Sequence, residues 1–347
     1  MGDIAKGAFS GAWSLLVGWI LPTAINLGIF FIVVWPGLRT TTFVTSTWPA
    51  ETPSTSLLLL TGSVLLGLVF FALRTPLYRL LEGYLLWPGR LAAWSCARHV
   101  RAKQILKKRR SLILLATRQR NADPLTAAEV DRLNALRDDP QLRRYRAGDG
   151  RSNMVQRALL GERLRRYPAD DEQITPTRLG NAIRRFEEYG HNRFRLDSQI
   201  LWEELVAVAP EPVRHQTETA RTNVDFFIAL LYGHLLVATA AAGTLASASA
   251  NTTLLLTTGL VLTLLALVWY RCAIAATDSW AAAVRALVNV GRKPLTQSLG
   301  LELPETLADE RDMWTKVTRL ALRPYGADSD ALDLYRIKSR GGTNTEG

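Results

Sequence analysis

Apolar positions along the chain gather in four blocks without a single Asp, Glu, Lys or Arg. They run from Ala12 to Leu38, Ser56 to Leu73, Phe226 to about Ser247, and Thr252 to Tyr270. A helix of about 20 apolar residues crosses the roughly 30 Å hydrocarbon layer of a bilayer, so each block has the length of a span or nearly so. The pattern predicts an all-α integral membrane protein with four transmembrane helices in two hairpins and a helical cytoplasmic domain inserted between them. The first block is too long for a signal-peptide core and reads as a retained helix.

The divisions follow from the same pattern. Residues 1–38 hold the N-terminus and first span, and 39–55 an extracytoplasmic loop. Residues 56–75 are the second span, and 76–223 an amphipathic elbow with a basic helical domain. The third span is 224–247, with a short outer turn at 248–251 and the fourth span at 252–271. Residues 272–347 form a cytoplasmic helical extension with a disordered tail.

Between the blocks the apolar period is helical. In "TPLYRLLEGYLLWPGRLAAW", Leu77, Leu80, Leu81, Tyr84 and Leu85 recur on one stripe, with an elbow at Pro88-Gly89. Trp87 and Trp94 are the expected anchors at the membrane interface. Thr126 and Glu129 form a capping box ahead of Val130, Leu133 and Leu136. Further helices are expected on Met154, Val155, Ala158, Leu159 and Leu164; on Leu179, Ala182, Ile183, Phe186 and Tyr189; and on Ile200, Leu201, Leu205 and Val208 after Asp197. Residues 212–225 contain no breaker and should run straight into the third span. The fourth span should continue past Tyr270, and a last amphipathic helix carries Leu307, Trp314, Val317, Leu320 and Ala321.

Charge fixes the expected orientation. The formal net charge is +11 over 347 residues. Lys and Arg number 29 against 19 Asp and Glu between Arg74 and Asp225, whereas the loop from Arg39 to Thr55 has one of each sign. Positive loops stay inside, which puts both termini and the central domain in the cytoplasm and the chain in the plasma (inner) membrane. The run "RAKQILKKRR", with Arg101, Lys103, Lys107, Lys108, Arg109 and Arg110, is then a patch for anionic headgroups. A nucleic-acid partner is disfavoured, because no recognition module surrounds the run.

Chemistry is sparse. Cys96 and Cys272 make no disulfide framework, and the four histidines share no ligand spacing. No phosphate loop, nucleophile elbow or zinc motif is present, so neither catalytic residues, a metal nor a cofactor is expected. The stretches "PTRLGNAIRRFEEYG" and "RFRLDSQILWEEL" resemble segments of uncharacterised bacterial membrane proteins, a resemblance that carries no activity.

The spans themselves offer more. His234 is an ionisable residue within the third, a candidate gate or else a hydrogen-bonded structural group. Pro22 breaks the first helix, and Thr23, Asn26 and, on the second helix, Ser63 either line a polar path or satisfy the broken backbone. Thr239, Gly243 and Ser247 make a small-residue ladder, with Gly259 as its expected counterpart on the fourth span. The two hairpins run in the same sense, which disfavours an inverted-repeat transporter.

Two functions remain in view. One is an oligomeric channel or membrane-perturbing effector gated through the cytoplasmic domain, a layout that broadly resembles bestrophin-type channels without a shared motif. The other is a membrane-anchored scaffold that recruits a cytosolic protein. An enzyme acting on lipids has no catalytic groups to support it.

Overall fold

The computed structural model describes residues 12–38, 55–145, 152–245, 251–324 and 326–337. The expected loop at 39–55, the turn at 248–251, Ser247 and the tail from Ser339 lie wholly or mostly outside them. Among the described residues all regular structure is helical, apart from one isolated bridge between Leu301 and Arg336.

Helix α1 covers Ala12–Leu38. It is α-helical at Leu21–Ile29 and widens to π turns at Leu16–Ile20 and Phe30–Val34. The first widening has a local cause: Pro22 brings no N–H for the Gly18 carbonyl, and Leu21 N–H instead bonds Leu16 O, five residues back. Helix α2 (Thr55–Ala72) runs antiparallel to α1, since Gly67 meets Ile20 and Gly62 meets Leu27. It bends by 59° into α3 (Arg74–Glu82).

Two long helices follow later in the chain, α10 (Glu211–Thr244) and α11 (Thr252–Ser298). Helix α10 runs parallel to α1: Gly18 touches Asp225, and eight residues on Asn26 touches Gly233. Val34, Val237, Ala241, Leu255 and Leu262 close one apolar core among α1, α10 and α11. Three helices, α1, α10 and α11, are long and apolar enough to cross a membrane, or four if α2 and the bent α3 count as one span. At 1.5 Å per residue, α10 is about 51 Å long and α11 about 70 Å, well beyond the ~30 Å of a hydrocarbon layer.

The chain divides into two compact units, Met1–Thr75 with Tyr189–Gly347, and Pro76–Glu188. The unit that holds the elbow and the basic helices, expected over 76–223, spans Pro76–Glu188. Residues 189–223 part from the basic unit because their apolar side chains have other partners. Leu196, Leu201 and Leu205 are buried with Leu287, Leu295, Met313, Trp314 and Val317. The helices concerned are α8 (Tyr189–Phe194), α9 (Trp202–Val208), the far half of α11, and α12 (Leu307–Leu322). Gly291 permits the closest approach, since a Cβ there would fall 2.8 Å from Leu205 Cδ1. Arg292 Nη1 reaches both Glu310 oxygens at 2.6 Å, and Trp314 Nε1 donates to Glu310 Oε1 at 3.3 Å. On α12, Trp314 and Val317 face inward as expected, but Leu307 and Leu320 are exposed, and Met313 and Glu310 occupy the buried stripe instead.

The second unit is built on α4 (Gly89–Arg120), with α5 (Ala127–Asp138), α6 (Asn153–Arg165) and α7 (Arg178–Glu187). Thr126 and Glu129 form the expected capping box. Leu133 and Leu136 are buried with Leu115 and Leu142. On α6 the apolar stripe is a correction: Met154 and Val155 are exposed and Leu160 is the buried residue.

Candidate functional site in the helix bundle

The polar residues expected inside the bundle are there, and two of them meet. Asn26 Nδ2 donates to the Pro22 carbonyl at 2.8 Å, an acceptor on its own helix. That bond fixes the amide, so Oδ1 is the atom turned toward His234 Nδ1 at 2.8 Å. An amide oxygen only accepts, so the proton in this contact belongs to His234 Nδ1. Both residues are buried. Gly233 makes room: a Cβ there would lie 2.3 Å from Asn26 Nδ2 and 2.4 Å from Cγ. The His234 ring stands edge-on to Trp269 at 6.1 Å, and Trp269 stacks on Phe227 at 5.9 Å.

The other two expected path residues turn back onto their own helices. Thr23 Oγ1 donates to Trp19 O at 2.6 Å and Ser63 Oγ to Leu59 O at 2.5 Å, and both side chains are buried. Thr23 and Ser63 thus spend their hydroxyl protons on carbonyls one turn back on their own helices.

Among the buried polar groups that the sequence pattern does not mark, Asp225 is the acidic one beside this bundle. Asp225 sits just before the third apolar block and is buried where α10 crosses Gly18, its Cβ 3.3 Å from where a Gly18 Cβ would lie. The available signal was spacing: Gly18 precedes Asn26 by the same eight residues as Asp225 precedes Gly233.

The packing ladder is also corrected. Within the chain, Thr239 and Gly243 are exposed, and a Cβ on Gly243 would meet nothing within 4 Å. Gly259 makes only ordinary contact with Ala238 O, at 3.9 Å. The intrachain face of α10 lies on Gly233, Val237, Ala241 and Thr244, because its apolar partners on α1 and α11 stand on that side. Ser247 lies outside the described residues.

The basic run is not a uniform surface patch. Helix α4 binds the segment at 167–176 through its face at positions 95, 99 and 103. Ser95 Oγ donates to Pro176 O at 2.6 Å, Cys96 Sγ to Ile174 O at 3.3 Å, and His99 Nδ1 meets the Tyr167 hydroxyl at 3.1 Å. Lys103 is buried on that face, donating to Ala169 O at 3.0 Å and ion-paired with Asp171, whose carboxyl it holds below the usual range. Lys108 pairs with Asp139 at 2.7 Å, and the Arg109 guanidinium lies 3.8 Å from the centre of the Tyr145 ring. Arg101, Lys107 and Arg110 remain exposed. Lys103 lies one turn beyond His99 on the face that the 167–176 segment covers, and that cover stops before Lys107. Of the expected anchors, Trp87 is half-buried with Nε1 on Leu80 O at 3.2 Å, while Trp94 is exposed.

Among the described residues no group of three or more His, Cys, Asp or Glu stands close enough to hold a metal. Neither a family model, a curated protein nor a solved structure matches the chain. The reading of function therefore rests on the chain's own residues.

Proposed function

We propose that the chain is a four-span protein of the inner membrane, with both termini and the basic unit in the cytoplasm, and that it assembles into a homo-oligomeric channel. The conducting path lies on the symmetry axis and is gated through the helical cytoplasmic parts. The observation that supports this is continuity. Helices α10 and α11 extend unbroken from their apolar halves into the core around Leu205 and Trp314. A displacement of that core therefore reaches the spans without passing a flexible linker. The exposed stripe on Thr239 and Gly243 offers a close-packing surface for a second copy.

A second reading, a membrane-anchored scaffold for a cytosolic partner, is favoured by one observation: the interior of the single bundle is filled by Trp19, Asn26 and His234. Both readings are tested by the mass of the assembly in nanodiscs, followed by ion flux from proteoliposomes. A closed ring that conducts supports the channel. A monomer, or a ring that conducts nothing, overturns it and leaves the scaffold.

A further inference from the structure

Between α3 and α4 the chain turns a corner whose underside is fixed and whose outer edge is apolar. Gly83, at φ +93°, lies against the Pro176 ring, which a Cβ would meet at 2.9 Å. Tyr84 N–H and Leu85 N–H both bond Arg79 O, at 2.9 and 3.2 Å, and Trp87 Nε1 bonds Leu80 O. Above this base Tyr84, Leu85, Leu86, Leu91 and Trp94 are all exposed, Leu86 at 81% and Trp94 at 56%. Leu86 adopts φ +59°, the left-handed region that a branched side chain disfavours. The corner thus holds a leucine in a strained conformation with its side chain outward, an arrangement that water gives no reason to keep.

Two observations identify what covers it. The first is charge. Glu82 is the only acidic residue between positions 52 and 122, Arg79 and Arg90 are exposed at the corner, and Arg98 and Arg101 are exposed further along α4; the carboxylates of Glu187 and Glu188 lie on the side of the corner that faces Tyr84. The Arg98 guanidinium lies 5.7 Å from the centre of the Trp94 ring, so the cation and the amphipathic ring travel together. The second is reach. Helix α3 spans about 14 Å, and the four residues after it at most ~13 Å more, so Leu86 stays within about 30 Å of the end of α2.

We propose that Leu85, Leu86, Leu91 and Trp94 form a wedge that inserts into the headgroup and upper acyl layer of an anionic leaflet. Arg90, Arg98 and Arg101 bind lipid phosphates around it. This differs from the expected stripe on α3, of which Leu77, Leu80 and Leu81 are half-buried in the protein. The proposal needs the chain to be in a bilayer but not to conduct, so a negative flux assay leaves it standing.

The test uses the full chain in anionic nanodiscs, with Cys96 and Cys272 replaced by Ala and a nitroxide on Leu86→Cys or, as a second variant, Trp94→Cys. Met154→Cys, also exposed in the same unit, reports water. The wedge predicts an oxygen-to-nickel-chelate collision ratio several-fold higher at 86 and 94 than at 154. It also predicts a fall in that ratio when zwitterionic lipid replaces anionic lipid, or in Arg90→Gln/Arg98→Gln/Arg101→Gln. Ratios equal to that at 154 overturn the proposal. Labels shielded from both reagents overturn it too, and indicate a covering protein.

Discussion

Gly233 lies so close to Asn26 that a single methyl group on its Cα would fall 2.3 Å from the amide nitrogen. Neither side can retreat, because Asn26 is held to Pro22 O and to His234. Gly233→Ala is expected to lower stability by about 1–3 kcal/mol through overpacking. Gly243→Ala, which meets open space, should change it by less than about 0.5 kcal/mol in the monomer. Thermal unfolding of both variants in mild detergent checks the order, and a reversed order would put the ladder back in the interior.

The Asn26–His234 contact is suited to a double-mutant cycle. His234→Leu leaves Asn26 Oδ1 without its donor in an apolar bundle, a loss of about 1–3 kcal/mol. Asn26→Leu/His234→Leu should cost less than the sum of the single changes, with a coupling of roughly 0.6 and at most ~1.7 kcal/mol. Additive effects would mean that the two side chains do not share this bond in the membrane.

Lys103 separates structural from surface charge in the basic run. Lys103→Ala removes the donor to Ala169 O and to Asp171, with an expected loss of about 1–3 kcal/mol, moderated because Asp171 is 39% exposed. Arg101→Gln, Lys107→Gln and Arg110→Gln together should leave the melting temperature nearly unchanged. Equal destabilisation by both sets would contradict the burial of Lys103.

One buried imidazole in the basic unit gives its stability an acid limb. His99 is held below its ordinary range by burial, then by Arg178 and Arg98. The unfolded imidazole takes a proton near pH 6.5 and the folded one resists, so stability falls as pH drops below about 6.5. Labelling of Cys96, whose thiol bonds Ile174 O, reads the opening of this seam in the full chain. His99→Gln should flatten this acid limb.

The sequence by itself determined the elements that depend on local pattern. The apolar blocks, the capping box at Thr126 and Glu129, and the run of α10 and α11 beyond any bilayer follow from hydrophobic period, side-chain caps and the absence of breakers. Even Asn26 and His234 stood out, because a polar residue in an apolar run needs a partner. Only the tertiary structure decided which partner it was, and on which face each helix packs. Val237 and Ala241 stand about 120–160° around α10 from Gly243, and small and apolar residues line both sides. The buried Lys103, the outward Met154 and the division after Glu188 have the same origin. Each is set by what lies opposite in space, and a helical period names a face without naming what will cover it.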